Sequence, residues 1–242
     1  MEEKFSGIVL GGVNFAENDK ILTIFTLEQG VISAKIKGVK KAGAKLKFAG
    51  EPFCFAEFLF AKTGKNRTVT GASLIESFYP LREDIFKLYS ASSILEFSKR
   101  FMKEGIVSQP FFHLVIQALK NIAFGDDSPE LCLCRFLISA LSFSGYALNF
   151  NGCSGCKNQM ENRAFFDAGD GCFYCERCKT PTSFEINYST FENLQKISNG
   201  GLVERQNCVK PLKLLDFYVK EKGDYGLRSL EELIKLHSFG EN

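Results

Sequence analysis

The chain has 242 residues, of which 45% are hydrophobic and 24% charged, and its formal net charge is +2. This balance excludes a disordered or fibrous protein, and so small a net charge does not by itself indicate an acidic partner. No apolar run reaches the roughly 18 residues of a membrane span, and the acidic start MEEKFSGIVL is not typical of a signal peptide. Nine cysteines without an export signal predict reduced thiols in a cytoplasmic protein.

The first 80 residues have the pattern of an all-β unit. Short stretches rich in β-branched and aromatic residues predict strands at residues 5–13, 20–27, 31–38, 53–62 and 68–77. Turn-forming residues such as Asn18, Gly30 and Gly64 separate them. Five short strands suit a small closed barrel of the oligonucleotide-binding (OB) type. Strand counting alone fits an SH3-like barrel as well.

One stretch within this unit is strongly basic. The sequence AKIKGVKKAGAKLKFAG (residues 34–50, hereafter the lysine-rich segment) contains no acid and six lysines: Lys35, Lys37, Lys40, Lys41, Lys45 and Lys47. Two glycines, Gly38 and Gly43, predict an open and mobile loop. Because the open face of an OB barrel binds single strands, we predict that these lysines bind DNA, together with Lys62, Lys65 and Arg67 of the next hairpin. The alternative is an ordinary solvated loop.

After Pro80 the apolar period becomes helical. Helices are predicted at residues 81–102, 110–124, 129–148, 189–197, 211–222 and 229–236. We therefore expect an α+β protein of two domains, with a five-stranded OB-type barrel in residues 1–80 and an all-α domain in residues 81–242. A cysteine module at about residues 150–182 interrupts the helical domain.

The helical stretches contain no recognisable catalytic set. Cys132 and Cys134 lie in an apolar helix without a partner histidine, which predicts buried, unreactive thiols. His113, between Phe112 and Leu114, is predicted to be a packing residue. No phosphate-binding loop, nucleophile elbow or dinucleotide fingerprint is present. We predict that the protein has no catalytic residues and is not an enzyme.

The cysteine module has the spacing of a metal site. The stretches CSGCK and GCFYCERCK hold five cysteines, and a two-residue gap lets one tight turn aim two sulfurs at one ion. The intervening AFFDAGDGCFY predicts a hairpin, which gives the layout of a zinc ribbon. A closed site of four thiolates is typical of a structural zinc ion, whereas a catalytic zinc keeps one position open.

One of the five thiols is surplus to a tetrahedral ion. A pair formed by Cys172 and Cys175 would place the bulky Phe173 and Tyr174 in the tight turn. A pair formed by Cys175 and Cys178 places the water-compatible side chains of Glu176 and Arg177 there instead. This choice makes the two turns match, since CSGCK and CERCK each end in lysine. The predicted ligands of one zinc ion are Cys153, Cys156, Cys175 and Cys178.

Three stretches resemble the bacterial RecO family of DNA repair proteins. The start GIVLGGVNFAENDKILTIFTLEQGVISAKIKGVKK is similar to the family's opening, including the LTIFT strand, the EQG turn and a KG followed by basic residues. The EPF at residues 51–53 resembles the family's lead into its fourth strand. The four-cysteine ribbon follows three predicted helices, where the family carries its zinc element, and Cys172 stands where the family has glycine.

The resemblance implies a recombination mediator without turnover chemistry. Such proteins bind single- and double-stranded DNA, anneal complementary strands coated with single-strand-binding protein, and work with RecR to load RecA. By position, the stretch from Lys35 to Lys47 would contact DNA, and the protein would be cytoplasmic and nucleoid-associated. Two alternatives compete with this hypothesis. One is a protein-interaction scaffold that does not bind DNA, and the other is a zinc-dependent nucleic-acid enzyme.

Overall fold

A computed structural model describes residues 2–102, 104–223 and 226–239. The N-terminal part consists of five strands, β1 (Glu2–Phe15), β2 (Asp19–Thr26), β3 (Gly30–Ile36), β4 (Phe55–Thr63) and β5 (Asn66–Glu76). Neighbouring strands pair in antiparallel fashion, except for a short parallel contact between β3 and β5 that closes the barrel in the order β1-β2-β3-β5-β4. This closed five-stranded arrangement confirms the prediction of an OB-type barrel.

Every second side chain of a strand points into the barrel, and these inward side chains are mostly apolar. Ile24, Ile36, Phe58 and Phe60 are fully buried in its interior. On the outer wall, Phe25 faces the helices instead, with its ring centroid 5.2 Å from that of Phe112. Residues two apart on a strand point to the same side, so one stretch of β1 and β2 supplies both the barrel core and the contact with the helices.

The lysine-rich segment is not the open loop that its glycines predict. Three successive tight turns order it, each closed by a backbone hydrogen bond. The Lys41 N–H donates to the Gly38 carbonyl (3.1 Å), the Ala44 N–H to the Lys41 carbonyl (3.0 Å), and the Lys47 N–H to the Ala44 carbonyl (3.2 Å). Val39 is buried in the barrel core. Local backbone hydrogen bonds, the buried Val39 and the packing of Leu46 and Phe48 against the barrel core therefore order a segment whose composition suggests freedom.

Six helices follow, α1 (Ile85–Phe101), α2 (Gln109–Phe124), α3 (Pro129–Phe143), α4 (Tyr188–Ser198), α5 (Arg205–Gly223) and α6 (Arg228–Phe239). The predicted start of α1 at residue 81 is wrong, because a separate 3-10 turn spans Tyr79–Arg82 and Asp84 then caps the helix by accepting from the Lys87 N–H (2.8 Å). The predicted end of α3 at residue 148 is also wrong. Gly145 adopts a φ of 84°, which ends the helix.

Helix α5 begins six residues before its predicted start at Pro211. Proline inside a helix leaves the carbonyl four residues earlier without a donor. Here that carbonyl belongs to Asn207, and the side-chain amide of Asn193 donates to it (3.3 Å). A neighbouring helix thus satisfies the group that Pro211 leaves unpaired, and α5 continues through it.

The cysteine module forms a three-stranded sheet between α3 and α4. Strands β6 (Ala164–Asp167) and β7 (Cys172–Tyr174) make the predicted hairpin, and β8 (Phe184–Ile186), which the sequence did not reveal, pairs with the other edge of β6. The sheet packs into the helical core, with the Phe166 ring 5.5 Å from that of Tyr218 and the Phe173 ring 5.1 Å from that of Phe191. The module is part of the main core.

Two further predictions about the helices have different outcomes. Cys132 and Cys134 are buried as expected, and burial raises the pKa of the Cys132 thiol to about 11. His113 was predicted to pack, and this is wrong because its side chain is exposed on α2. Phe112 and Leu114 turn towards the interior on either side of it, as the helical period requires.

Candidate metal centre and nucleic-acid interface

Four cysteine sulfurs of the ribbon converge on one point. The Sγ atoms of Cys153, Cys156, Cys175 and Cys178 all lie within 4.8 Å of one another. Those of Cys156 and Cys175 are 3.9 Å apart, far beyond the roughly 2.05 Å of a disulfide. Four thiolates at about 2.3 Å from a tetrahedral zinc ion would be roughly 3.8 Å from one another. The four cysteines are therefore positioned to hold one metal ion.

Two tight turns aim these sulfurs. In the first, the Lys157 N–H donates to the Cys153 carbonyl (2.8 Å), and in the second the Cys178 N–H donates to the Cys175 carbonyl (3.0 Å). Gly155 allows the turns to approach, because a Cβ at that position would lie 2.7 Å from the Cβ of Cys178. Close contact between the turns thus depends on a residue without a side chain.

The electrostatics of the four thiols call for a cation. Burial opposes ionisation of Cys153, but the N–H groups of Cys156, Cys175 and Gly155 donate to its sulfur and lower its pKa to about 6. At Cys178, the hydrogen bond with the Cys175 thiol raises the pKa to about 12. Only a nearby positive charge lets all four thiols ionise together. The donor set fits a divalent metal that prefers sulfur ligands.

Cys172 lies outside this group. Its side chain is half-buried on β7, and its Sγ is 3.7 Å from the carbonyl oxygen of Asp170. Its backbone pairs with Asp167 in the hairpin. The geometry agrees with the choice of Cys175 and Cys178 as the second pair, while ligation itself stays a prediction.

Three of the nine basic residues predicted to bind DNA are paired with acids. Lys35 Nζ lies 2.9 Å from Asp19, while Lys62 Nζ and Arg67 Nε lie 3.0 Å and 2.9 Å from the two oxygens of Glu3. The hydrogen bond from Arg67 lowers the pKa of Glu3, and the one from Lys35 lowers the pKa of Asp19. These three cations contribute less positive charge to the surface than the sequence suggests.

The other six basic residues are exposed to solvent. Lys37 lies close enough to Asp19 to help lower the pKa of that carboxyl. The remaining five of these six form no ion pair within residues 2–102, 104–223 and 226–239: Lys40, Lys41, Lys45, Lys47 and Lys65. Four of them belong to the lysine-rich segment. The unpaired positive charge of the barrel is thus concentrated on the predicted segment.

Sequence reasoning missed an apolar groove beside the ribbon. The groove has a volume of about 470 Å³ and lies between β8, α4 and α5, where Phe184, Leu214 and Phe217 line it together with Lys210 and Lys213. Four of these residues belong to α5, at helical spacing on one face. Most of the α5 residues lie within the predicted helix 211–222, but the opposite wall comes from β8, a strand that the sequence did not reveal. We call this surface the α4–α5 groove.

None of the described helices is both long and apolar enough to cross a membrane. The fold and the sites define a class of protein, namely an OB-barrel protein whose helical part carries a four-cysteine ribbon and whose barrel presents a cluster of unpaired lysines.

Two models of one protein family match this chain, one in the barrel and one in the helical part. A family model described as "Recombination protein O N terminal" matches residues 1–78, and one described as "Recombination protein O C terminal" matches residues 82–231. The chain belongs to the RecO family. A protein named DNA repair protein RecO from Desulforamulus reducens is 30% identical over 244 residues, which cover 97% of this chain and 94% of the relative.

Two more relatives with the same name align over most of their length. The protein from Caldicellulosiruptor saccharolyticus is 29% identical over 237 residues, which cover 89% of this chain and 97% of the relative. The protein from Bacillus subtilis is 28% identical over 256 residues, which cover 100% of this chain and 99% of the relative. The similarity therefore extends over the barrel, the helices and the ribbon together.

Proposed function

We propose that this protein is a recombination mediator in DNA repair. In this proposal it binds single- and double-stranded DNA without sequence preference and anneals complementary strands coated with single-strand-binding protein. Together with RecR it promotes the loading of RecA. Membership of the RecO family supports the role in DNA repair, and the finer activities rest on the surface chemistry of the barrel.

The observation that carries the proposal is the cluster of unpaired lysines on an OB barrel. Annealing needs a surface that neutralises phosphates and leaves the pairing edges of the bases free. Lysine is a point charge that binds phosphate without reading sequence. Because Lys40, Lys41, Lys45 and Lys47 are exposed and have no acidic partner among the described residues, their charge is available for two strands at once.

The proposal assigns the remaining parts as follows. Residues 1–80 form the DNA-binding domain, and residues 81–242 form the helical domain with the ribbon at about residues 150–182. One structural zinc ion is held by the four converging cysteines, whose spacing suits tetrahedral sulfur coordination. No residue is assigned a catalytic role, and the protein acts in the cytoplasm on the nucleoid.

Salt dependence of single-strand binding tests the DNA contact. The segment variant (Lys40→Ala, Lys41→Ala, Lys45→Ala and Lys47→Ala) removes four phosphate contacts, so the slope of log K against log salt should become shallower by about 3. The measurement is fluorescence anisotropy with an oligonucleotide of arbitrary sequence. The matched control is the helix variant (Lys99→Ala, Lys120→Ala, Lys196→Ala and Lys235→Ala), which removes the same charge from exposed helix positions.

Two results would contradict the assignment. If the segment variant keeps the affinity and slope of the wild type, the lysine-rich segment is a solvated loop. If the wild type does not bind the oligonucleotide even at low salt, the protein is the interaction scaffold instead.

For single-strand-binding protein, we propose that its C-terminal tail docks in the α4–α5 groove. Apolar walls from Phe184 and Phe217 and the exposed cations Lys210 and Lys213 suit a peptide that is acidic and ends in apolar residues. Charge complementarity would steer the tail, and burial of its apolar end would retain it.

A labelled peptide of the last ten residues of that partner tests the docking site. The double variant Lys210→Ala and Lys213→Ala should weaken binding by about tenfold or more, since two charge contacts are lost. The double variant Lys99→Ala and Lys120→Ala serves as the charge-matched control. Unchanged affinity of the groove variant for the peptide would rule the groove out as the docking site.

A further inference from the structure

A second groove lies on the barrel wall, beside the lysine-rich segment. It has a volume of about 540 Å³ and is lined by residues of β1, β2, β3 and β5, by the turn before β5 and by one acid after α1, among them Phe15, Lys35, Lys65, Arg67, Thr68 and Glu104. Strands β3 and β5 pair over only two positions, so the wall is indented here. The volume falls within the roughly 300–1,000 Å³ of small-molecule sites. We call it the Phe15 groove.

The aromatic ring in this groove is exposed and held in place. Phe15 is 45% exposed at the end of β1. The Nζ of Lys35 lies 4.4 Å from its ring centroid, and that nitrogen is also fixed by Asp19 at 2.9 Å. A cation over one side of a phenylalanine ring restricts its orientation. The exposed remainder of the ring is left for a flat ligand.

Much of the positive charge that lines the groove is already paired with carboxylates. Lys35 is paired with Asp19 and Arg67 with Glu3, and Lys65 and Glu104 add one charge of each sign to the lining. The other polar groups are hydroxyls and an amide, which hydrogen-bond to uncharged donors and acceptors. A flat, uncharged, heteroaromatic ring that carries its own donors and acceptors fits this lining, and a nucleobase has this chemistry.

The groove and the unpaired lysines are physically connected. The Lys40 N–H donates to the Asn18 carbonyl (3.1 Å), and the Gly38 N–H donates to the Asp19 carboxylate (2.8 Å). The turn that follows Phe15 therefore holds the start of the lysine run. A strand whose phosphates lie on the lysines passes within reach of the groove.

We propose that the Phe15 groove binds one nucleobase of a single strand, which stacks on the exposed ring of Phe15. The inference rests on the proposed function, because the phosphates of the same strand are held by the lysine-rich segment. Stacking uses the face of a base and is tolerant of sequence. The pairing edge stays accessible, as annealing requires.

Oligonucleotides with and without bases separate the two contacts. The wild type should bind a single strand about tenfold more tightly than an abasic strand with the same number of phosphates, as one stacking contact allows. The variant Phe15→Ala should lose this preference and keep its affinity for the abasic strand. Val13→Ala, which truncates another exposed apolar side chain of β1, should behave as the wild type.

A spectroscopic probe gives a second readout. The chain contains no tryptophan, so Phe15→Trp introduces a single tryptophan at the groove, which can be excited selectively. Its fluorescence should be quenched by the base-containing strand and unaffected by the abasic one.

The failures are distinguishable. If Phe15→Ala keeps the tenfold preference, or if Phe15→Trp is not quenched although the strand binds, the inference is overturned and the phosphate-binding function stands. If the wild type binds neither strand, the proposed function fails and the inference fails with it.

Discussion

The carboxylates of Glu3 and Asp19 decide which predicted basic residues present free charge. Glu3 holds both Lys62 and Arg67, and Asp19 holds Lys35. In the sequence, Glu3 precedes these two cations by about 60 positions, and only the pairing of β1 with β4 and of β4 with β5 brings them together. These half-buried pairs reduce the free positive charge around the Phe15 groove and leave the lysines from Lys40 to Lys47 unpaired.

At the metal centre, the identity of the fourth ligand can be tested by single substitutions. Cys172→Ser should keep one zinc ion per chain, because the Cys172 sulfur contacts the Asp170 carbonyl and lies outside the group of four. Cys178→Ser, the matched control, should lose most of the bound zinc, because three thiolates leave one position open. Metal content of the purified variants, determined by mass spectrometry, gives the answer. Loss of zinc from Cys172→Ser with retention in Cys178→Ser would reverse the assignment.

The sequence was sufficient for the cysteine group and insufficient for Phe15. The CxxC spacing indicates that the two sulfurs of a pair can bind one ion, because that geometry is local to a single turn. The exposure of Phe15 depends on where β1 ends relative to β3 and β5. An aromatic residue in a strand is usually core, as Phe58 and Phe60 are here, so no local signal separates it from them.

Among the elements, α5 shows how tertiary context overrides a local rule. Proline is common in the first turn of a helix, and the predicted range of this helix begins at Pro211. The donor that Asn193 supplies to the Asn207 carbonyl comes from α4, and no pattern within α5 contains it. Strand β8 was missed for a similar reason. Its three residues form a strand only because β6 offers an edge.

The ribbon should depend on its metal as a unit. Removal of zinc by a chelator should abolish amide protection in residues 150–186, because binding of a structural zinc contributes on the order of 10 kcal/mol to folding. Protection should also fall in α4, since the Phe173 ring packs against Phe191. The barrel has its own apolar interior and serves as the internal control. Hydrogen exchange followed by mass spectrometry resolves these segments.

A different outcome would favour the zinc-dependent enzyme. A catalytic metal would leave the exchange pattern unchanged when removed, while an activity on nucleic acid disappeared. Retained protection throughout the ribbon after complete loss of zinc would therefore contradict a structural role.

For the whole molecule, the fold class was predictable and the arrangement of its surfaces was not. The spacing of apolar residues distinguished the strands from the helices. The number and short length of the strands then predicted a small closed barrel. The contact of Phe25 with Phe111 and Phe112 joins the barrel wall to α2. The lysine-rich segment and the Phe15 groove adjoin each other on the barrel and share Lys35, whereas the α4–α5 groove lies between two helices and β8. Their chemistry suits phosphates, a base and an acidic peptide, as a protein that handles coated single strands would require.

The most direct test of this account is the annealing of complementary strands coated with single-strand-binding protein. The wild type should accelerate annealing, the segment variant should be slower by about tenfold or more because four phosphate contacts are lost, and the helix variant should match the wild type. Annealing is followed by the quenching of a fluorophore pair on the two strands. Equal rates for the wild type and the segment variant, or no acceleration by the wild type, would contradict the claim that this protein brings DNA strands together through its lysine-rich segment.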